Sequence, residues 1–104
     1  MAIEVITRYQ EGDSPYIIIK HYTFDLATEV WTLANPDANF PKITIADKNG
    51  VVKVDAVTIT PTATGTFGYW YELPASPALG WWRGFIDVEN SGYPDREHFG
   101  FEVK

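Results

Sequence analysis

The sequence predicts an all-β chain, an antiparallel sandwich of about seven strands, and three observations carry that expectation. Phe67, Tyr69, Tyr71 and Leu73 alternate with small or polar residues, and Trp82, Ile86 and Val88 repeat the pattern beyond the Pro74-Ala75-Ser76-Pro77 turn. Alternation with period two sets one face of an extended segment against a core. Asn49-Gly50 between β-branched runs is a strong hairpin signal, because both residues tolerate positive φ. No stretch shows the periodicity of an amphipathic helix, and turn residues recur at the spacing of short strands.

The elements follow in order. Ala2 to Tyr9 reads as a first strand with Ile3, Val5 and Tyr9 near one face, and Glu11-Gly12-Asp13-Ser14-Pro15 ends it. Tyr16 to Phe24 is a second, whose Ile17-Ile18-Ile19 run suits a strand covered on both faces. Leu26 to Leu33 fits one helical turn or an irregular edge strand, and Asn35-Pro36-Asp37-Ala38-Asn39 is a turn. Lys42 to Ala46 points Ile43 and Ile45 inward, Asp47-Lys48-Asn49-Gly50 reverses the chain, and Val51 to Val54 returns. Ala56 to Thr60 continues, Pro61 to Gly65 turns into the aromatic strand Thr66 to Leu73, and Trp82 to Val88 follows. Glu89 to Asp95 reads as a polar loop, and a last strand sets Phe99, Phe101 and Val103 opposite His98, Gly100 and Glu102.

The 104 residues suit one domain, 1–104, and the absence of cysteine leaves packing alone to stabilise it. The formal charge is -6, with 14 acidic against 8 scattered basic residues, which counts against nucleic acid and against anionic membranes. No apolar run reaches the ~20 residues of a membrane span. The start Met1-Ala2-Ile3-Glu4 lacks the pattern of a signal peptide, so the expected location is the cytoplasm or a virion assembled there.

Few residues suggest chemistry. Ser91, His98 and Asp95 compose a triad only on paper, without a nucleophile elbow, and His21 and His98 lack metal-ligand spacing. Calcium is the best candidate ion: Asp87, Glu89, Asn90 and Asp95 gather hard oxygens, with Glu11, Asp13, Asp25 and Asp37 elsewhere. The Asp-x-Asp-x-Asp-Gly spacing of a dedicated calcium loop is missing, so the expectation is no cofactor and no metal. Aromatic residues make up 15% of the chain, and alternation cannot turn all of them inward. With Trp82 in the core, Trp81, Arg83 and Phe85 form an outward row, while Trp70 marks a surface on the opposite sheet.

The run Ile43 to Val52, the strand Thr64-Gly65-Thr66-Phe67-Gly68-Tyr69-Trp70-Tyr71-Glu72-Leu73-Pro74, the step Leu79-Gly80-Trp81-Trp82 and the closing Phe99-Gly100-Phe101-Glu102-Val103 keep one order. That order resembles bacterial immunoglobulin-like domains of the macroglobulin-like and fibronectin-like sort, over about Pro41 to Lys104. The resemblance implies an immunoglobulin-like sandwich and a non-catalytic structural or interaction module, such as an accessory protein of a phage or prophage particle. Its partner would be a protein or a second copy. The alternative is a carbohydrate-binding module that stacks exposed Trp and Tyr on sugar rings.

Overall fold

A computed structural model describes residues 1–6, 8–10 and 12–104. Among these residues there are eleven strands and no helix. In chain order they are β1 (Ala2–Glu4), β2 (Arg8–Tyr9), β3 (Tyr16–Lys20), β4 (Tyr22–Asp25), β5 (Val30–Leu33) and β6 (Lys42–Ala46). Then come β7 (Val52–Thr58), β8 (Pro61–Ala63), β9 (Thr66–Trp70), β10 (Gly80–Asn90) and β11 (Tyr93–Val103). One sheet has the order β1-β3-β9-β8, a second β2-β11-β10-β6-β7, and β4 and β5 form a separate two-stranded arm. All pairings are antiparallel except β2 with β11.

The two larger sheets share one core. Ile17, Ile19 and Phe67 come from the first; Ile43, Ile45, Trp82, Ile86, Val88, Phe101 and Val103 come from the second. Each set occupies every second position of its strand, as the alternation requires. Trp82 is 0% exposed, lies 5.8 Å from Phe101 and 6.0 Å from Tyr71 between ring centres, and donates its indole N–H to the Ala78 carbonyl at 2.8 Å. That bond satisfies the one polar atom which burying a tryptophan would otherwise strand. Gly84 is required beside it, since a Cβ there would run into the Phe99 ring.

Several strands depart from the sequence expectation, for local reasons. The first strand is two: β1 pairs with β3 in one sheet and β2 with β11 in the other, so the chain crosses between sheets. The second strand breaks at His21, which is buried. Its N–H donates to Gly65, its Nδ1 lies 2.8 Å from the Ala34 carbonyl, and its own carbonyl accepts from Ala34 N–H. Ile17 and Ile19 are buried but Ile18 is only half covered, so β3 is packed on one face. Leu26 to Leu33 is a turn followed by β5, with no helix. Pro61 to Ala63 is a strand, which narrows the expected Pro61–Gly65 turn to Thr64-Gly65, and the aromatic strand stops at Trp70.

Two turns also differ in kind. At Asp47–Gly50 only Gly50 has positive φ, +81°, and Asn49 does not. The Asp47 carbonyl accepts from Gly50 N–H, and its Oδ1 accepts from Asn49 and Val51 N–H at 2.8 and 3.0 Å, so one aspartate organises the reversal. The expected polar loop Glu89–Asp95 is instead a tight hairpin in which Ser91 and Gly92 carry φ of +53° and +81°. A two-residue turn with both φ positive matches the twist of its strands and extends the β10–β11 ladder to Asn90↔Tyr93. At ~3.3 Å per residue these strands run roughly 36 Å, and they are the longest elements in a body of 51 × 21 × 19 Å.

Candidate functional site

β10 is central in its sheet, flanked by β11 and β6, and its outward positions are Trp81, Arg83, Phe85 and Asp87. They face Glu102, Gly100, His98 and Arg96 across the ladder. Trp81 is 55% exposed and spreads toward Gly100, where a Cβ would lie 3.8 Å from its ring. Phe85 is half buried, because the Arg96 guanidinium sits 3.9 Å from its ring centre and His98 meets it edge-on at 5.9 Å. Arg96 is fixed in turn by Asp87, at 2.6 Å from Nε and 3.2 Å from Nη2, and that hydrogen bond raises the guanidinium pKa. The row therefore presents Trp81 and Arg83 freely and Phe85 only in part. Trp70, 66% exposed on the other sheet, stacks on Tyr16 with ring centres 4.3 Å apart and planes 19° from parallel.

The oxygen-rich residues do not converge. The register puts Asp87 and Glu89 on the outward face, and Asn90 and Asp95 on the opposite one. Asp87 is held by Arg96, and Asp95 Oδ1 accepts the Arg96 N–H at 2.9 Å. Asp37 accepts Ser91 and Gly92 N–H at 2.9 and 2.8 Å, so it caps the hairpin turn. Asp25 and Asp13 likewise accept from Ala27 and Gln10 N–H. Glu11 lies outside the described residues. Among the described residues no three His, Cys, Asp or Glu side chains gather as a metal site would need. His98 faces outward beside Phe85 while Asp95 lies opposite, so the register separates these two members of the paper triad.

Beside Trp81 the surface is concave. The Asp47–Gly50 turn stands next to the Gly80-Trp81 step and encloses a cleft of about 460 Å³ whose chemistry comes from Asp47, Lys48, Trp81 and Arg83. Gly80 has φ of +125°, and the Lys48 stem lies over it where a Cβ would collide, so glycine is needed to bring the turn and the strand together. Asp47 is nearly buried, with Oδ1 holding the turn and Oδ2 3.9 Å from Lys53.

No family model and no curated protein matches this chain. The site must be read from its own geometry.

Five exposed large apolar residues lie together in a stretch of chain outside the row that the sequence analysis singled out. On the β4–β5 arm Phe24, Leu26, Val30, Trp31 and Leu33 are all exposed, Leu26 by 83% and Trp31 by 65%. Phe24 and Trp31 pair across the strands with ring centres 5.1 Å apart. At the foot of the arm Met1, Ala2, Tyr22 and Trp31 line a shallow, mostly apolar groove. Tyr22-Thr23-Phe24-Asp25 and Trp31-Thr32-Leu33 alternate in the sequence, and the pairing puts Tyr22, Phe24, Trp31 and Leu33 on one face, which neither larger sheet covers.

Proposed function

We propose that the chain is a non-catalytic interaction module of the immunoglobulin-like sandwich type, which docks on a protein partner, a second copy included, through the β4–β5 arm. The arm carries this reading. A two-stranded hairpin is marginal by itself in water, and this one holds five large apolar side chains in solvent. Contiguous exposed apolar surface on a small protein marks an interaction site. Its strand edges also offer unpaired backbone groups for a partner strand. An accessory place in a phage or prophage particle belongs to the same proposal and is supported by the family resemblance of the Pro41–Lys104 motifs alone.

Sedimentation velocity over a wide concentration range, with capture of cell-extract proteins on immobilised chain, tests it. The double change Leu26→Ser with Trp31→Ser should remove association or capture and leave the melting temperature unchanged. Association that survives this change but is lost on Trp81→Ser would move the docking surface to the β10 row. A parent chain that stays monomeric and captures nothing would overturn the reading.

A second reading, a carbohydrate-binding module, is favoured by the cleft beside Trp81. It sets the exposed Trp81 at the rim of a concavity in the ~300–1,000 Å³ range of ligand sites, with Asp47, Lys48 and Arg83 around it.

A further inference from the structure

The two cations in that cleft stand apart from the rest. Of the 8 Lys and Arg side chains, Arg8, Lys20, Lys53, Arg96 and Lys104 each reach a carboxylate, and Lys42 lies over the Phe40 ring. Lys48 and Arg83 alone have no such partner among the described residues, and both line the cleft beside Trp81. A chain with 14 acidic residues has carboxylates to spare. Two such cations against the one carboxylate of Asp47 give this concave spot an excess of positive charge in a chain whose net charge is -6.

We infer that the Trp81 cleft binds a pyranose ring bearing a carboxylate, as in a uronic-acid saccharide. This rests on the carbohydrate-binding reading and names its ligand class. The indole offers a flat apolar face for the ring's C–H side. Arg83 offers a planar fork matched to a carboxylate, and Lys48 a second cation lining the same cleft. Asp47 holds in place the turn that forms the cleft wall. A compact ligand is favoured over an extended acidic peptide because β10 is hydrogen-bonded on both sides at Arg83, to Gly100 and Ala46, leaving no edge for a peptide strand to join.

Tryptophan fluorescence and calorimetric titration with tri-galacturonate, against neutral galactotriose, test the assignment on the full chain. Tri-galacturonate should bind at least tenfold tighter than galactotriose and lose most of that margin at about 0.5 M salt, where the Debye length falls to a few ångströms. R83Q and K48Q should each weaken tri-galacturonate severalfold without affecting galactotriose, and W81S should weaken both, with melting temperatures unchanged. The salt titration of the parent stands independently if a variant folds poorly. Equal, salt-insensitive binding of both saccharides overturns the carboxylate assignment and keeps the carbohydrate reading. Binding of neither overturns both. Tri-galacturonate binding untouched by W81S places the site elsewhere, and equally tight binding of a glutamate hexapeptide reduces the cleft to a charge patch; either result overturns the proposal.

Discussion

β10 and β11 pair over eleven rungs and bury Trp82, Gly84, Ile86, Val88, Phe101 and Val103 on one face, whereas β4 and β5 pair over four and bury no residue on either. Both are antiparallel hairpins with aromatic residues at paired positions. What separates Trp82 at 0% exposure from Trp31 at 65% is the presence of a second sheet across the core. A strand's side chains are stabilised by what covers them, so strand chemistry alone marks where a ladder forms without saying whether it stores stability or offers surface.

The sharpest break of this comparison is a pair of alanine substitutions. Trp82→Ala should cost about 3–5 kcal/mol in urea unfolding, as expected for emptying a large buried site. Trp31→Ala should stay within about 0.5 kcal/mol, as for a surface change. A large loss at Trp31 would mean that the arm is part of the folding core. Next in size is Asp37→Ala. It removes the acceptor of both turn N–H groups at Ser91 and Gly92, with an expected loss of about 1–2 kcal/mol. Hydrogen exchange should then quicken at the β10–β11 tip toward the rates of the arm and stay unchanged at Trp82. Uniform quickening along β10 would show that the tip and the core open together.

The sequence made the first half of this comparison legible and hid the second. Period-two alternation put Phe67, Trp82, Ile86, Val88, Phe101 and Val103 inside and Trp70 and Trp81 outside, and the structure agrees at each of them. Where two sheets press on a strand, inward and outward positions differ in chemistry, and that difference is written into the residues. The arm lies outside both sheets, so the alternation of Tyr22-Thr23-Phe24-Asp25 and Trp31-Thr32-Leu33 marks an apolar face without saying that nothing covers it. The Ser91-Gly92 turn was missed because Asp95, Pro94 and Tyr93 look like loop residues. Their strand is an edge there, where a proline breaks no ladder bond. The cleft was half legible: Trp81 and Arg83 follow from the alternation of one strand, while Lys48 joins them only through the fold.

Smaller effects sharpen the contrast between turns and core. Gly50 has φ of +81° with open space where a Cβ would stand, so Gly50→Val should cost about 1 kcal/mol through backbone strain, read as a shift of the urea midpoint at constant slope. A neutral result would detach that turn from the stability of β6. Smallest is Tyr9→Phe. The Tyr9 hydroxyl is buried, with the Tyr16 and Ile6 backbone amides near it but no well-formed hydrogen bond among the described residues, so removing it should change stability by no more than about 1 kcal/mol. Burial also raises the pKa of Tyr9, Tyr69 and Tyr71 above 10.0. The unfolded chain releases those protons first, so stability should fall as pH climbs past about 10, and less steeply in Tyr9→Phe. Stability that stays flat to pH 11 would contradict the burial of these phenols.

The crossing of the first strand between sheets has a mechanical side. β2 runs parallel to β11, with Arg8 beside Glu102, Tyr9 beside Val103, and the Lys104 N–H donating to the Tyr9 carbonyl at 2.8 Å. Tension applied between residues 1 and 104 draws these two neighbours in opposite directions along their own length. Bonds that bridge such a pair are loaded in shear and must give way together, where an antiparallel pair pulled at one end would unzip rung by rung. The rate of rupture under tension, which follows the barrier and not the equilibrium stability, is then set by this short clamp and by the Tyr9 ring packed edge-on against Phe101 at 5.4 Å. The arm lies in the chain between the two clamped ends and feels no load until they part.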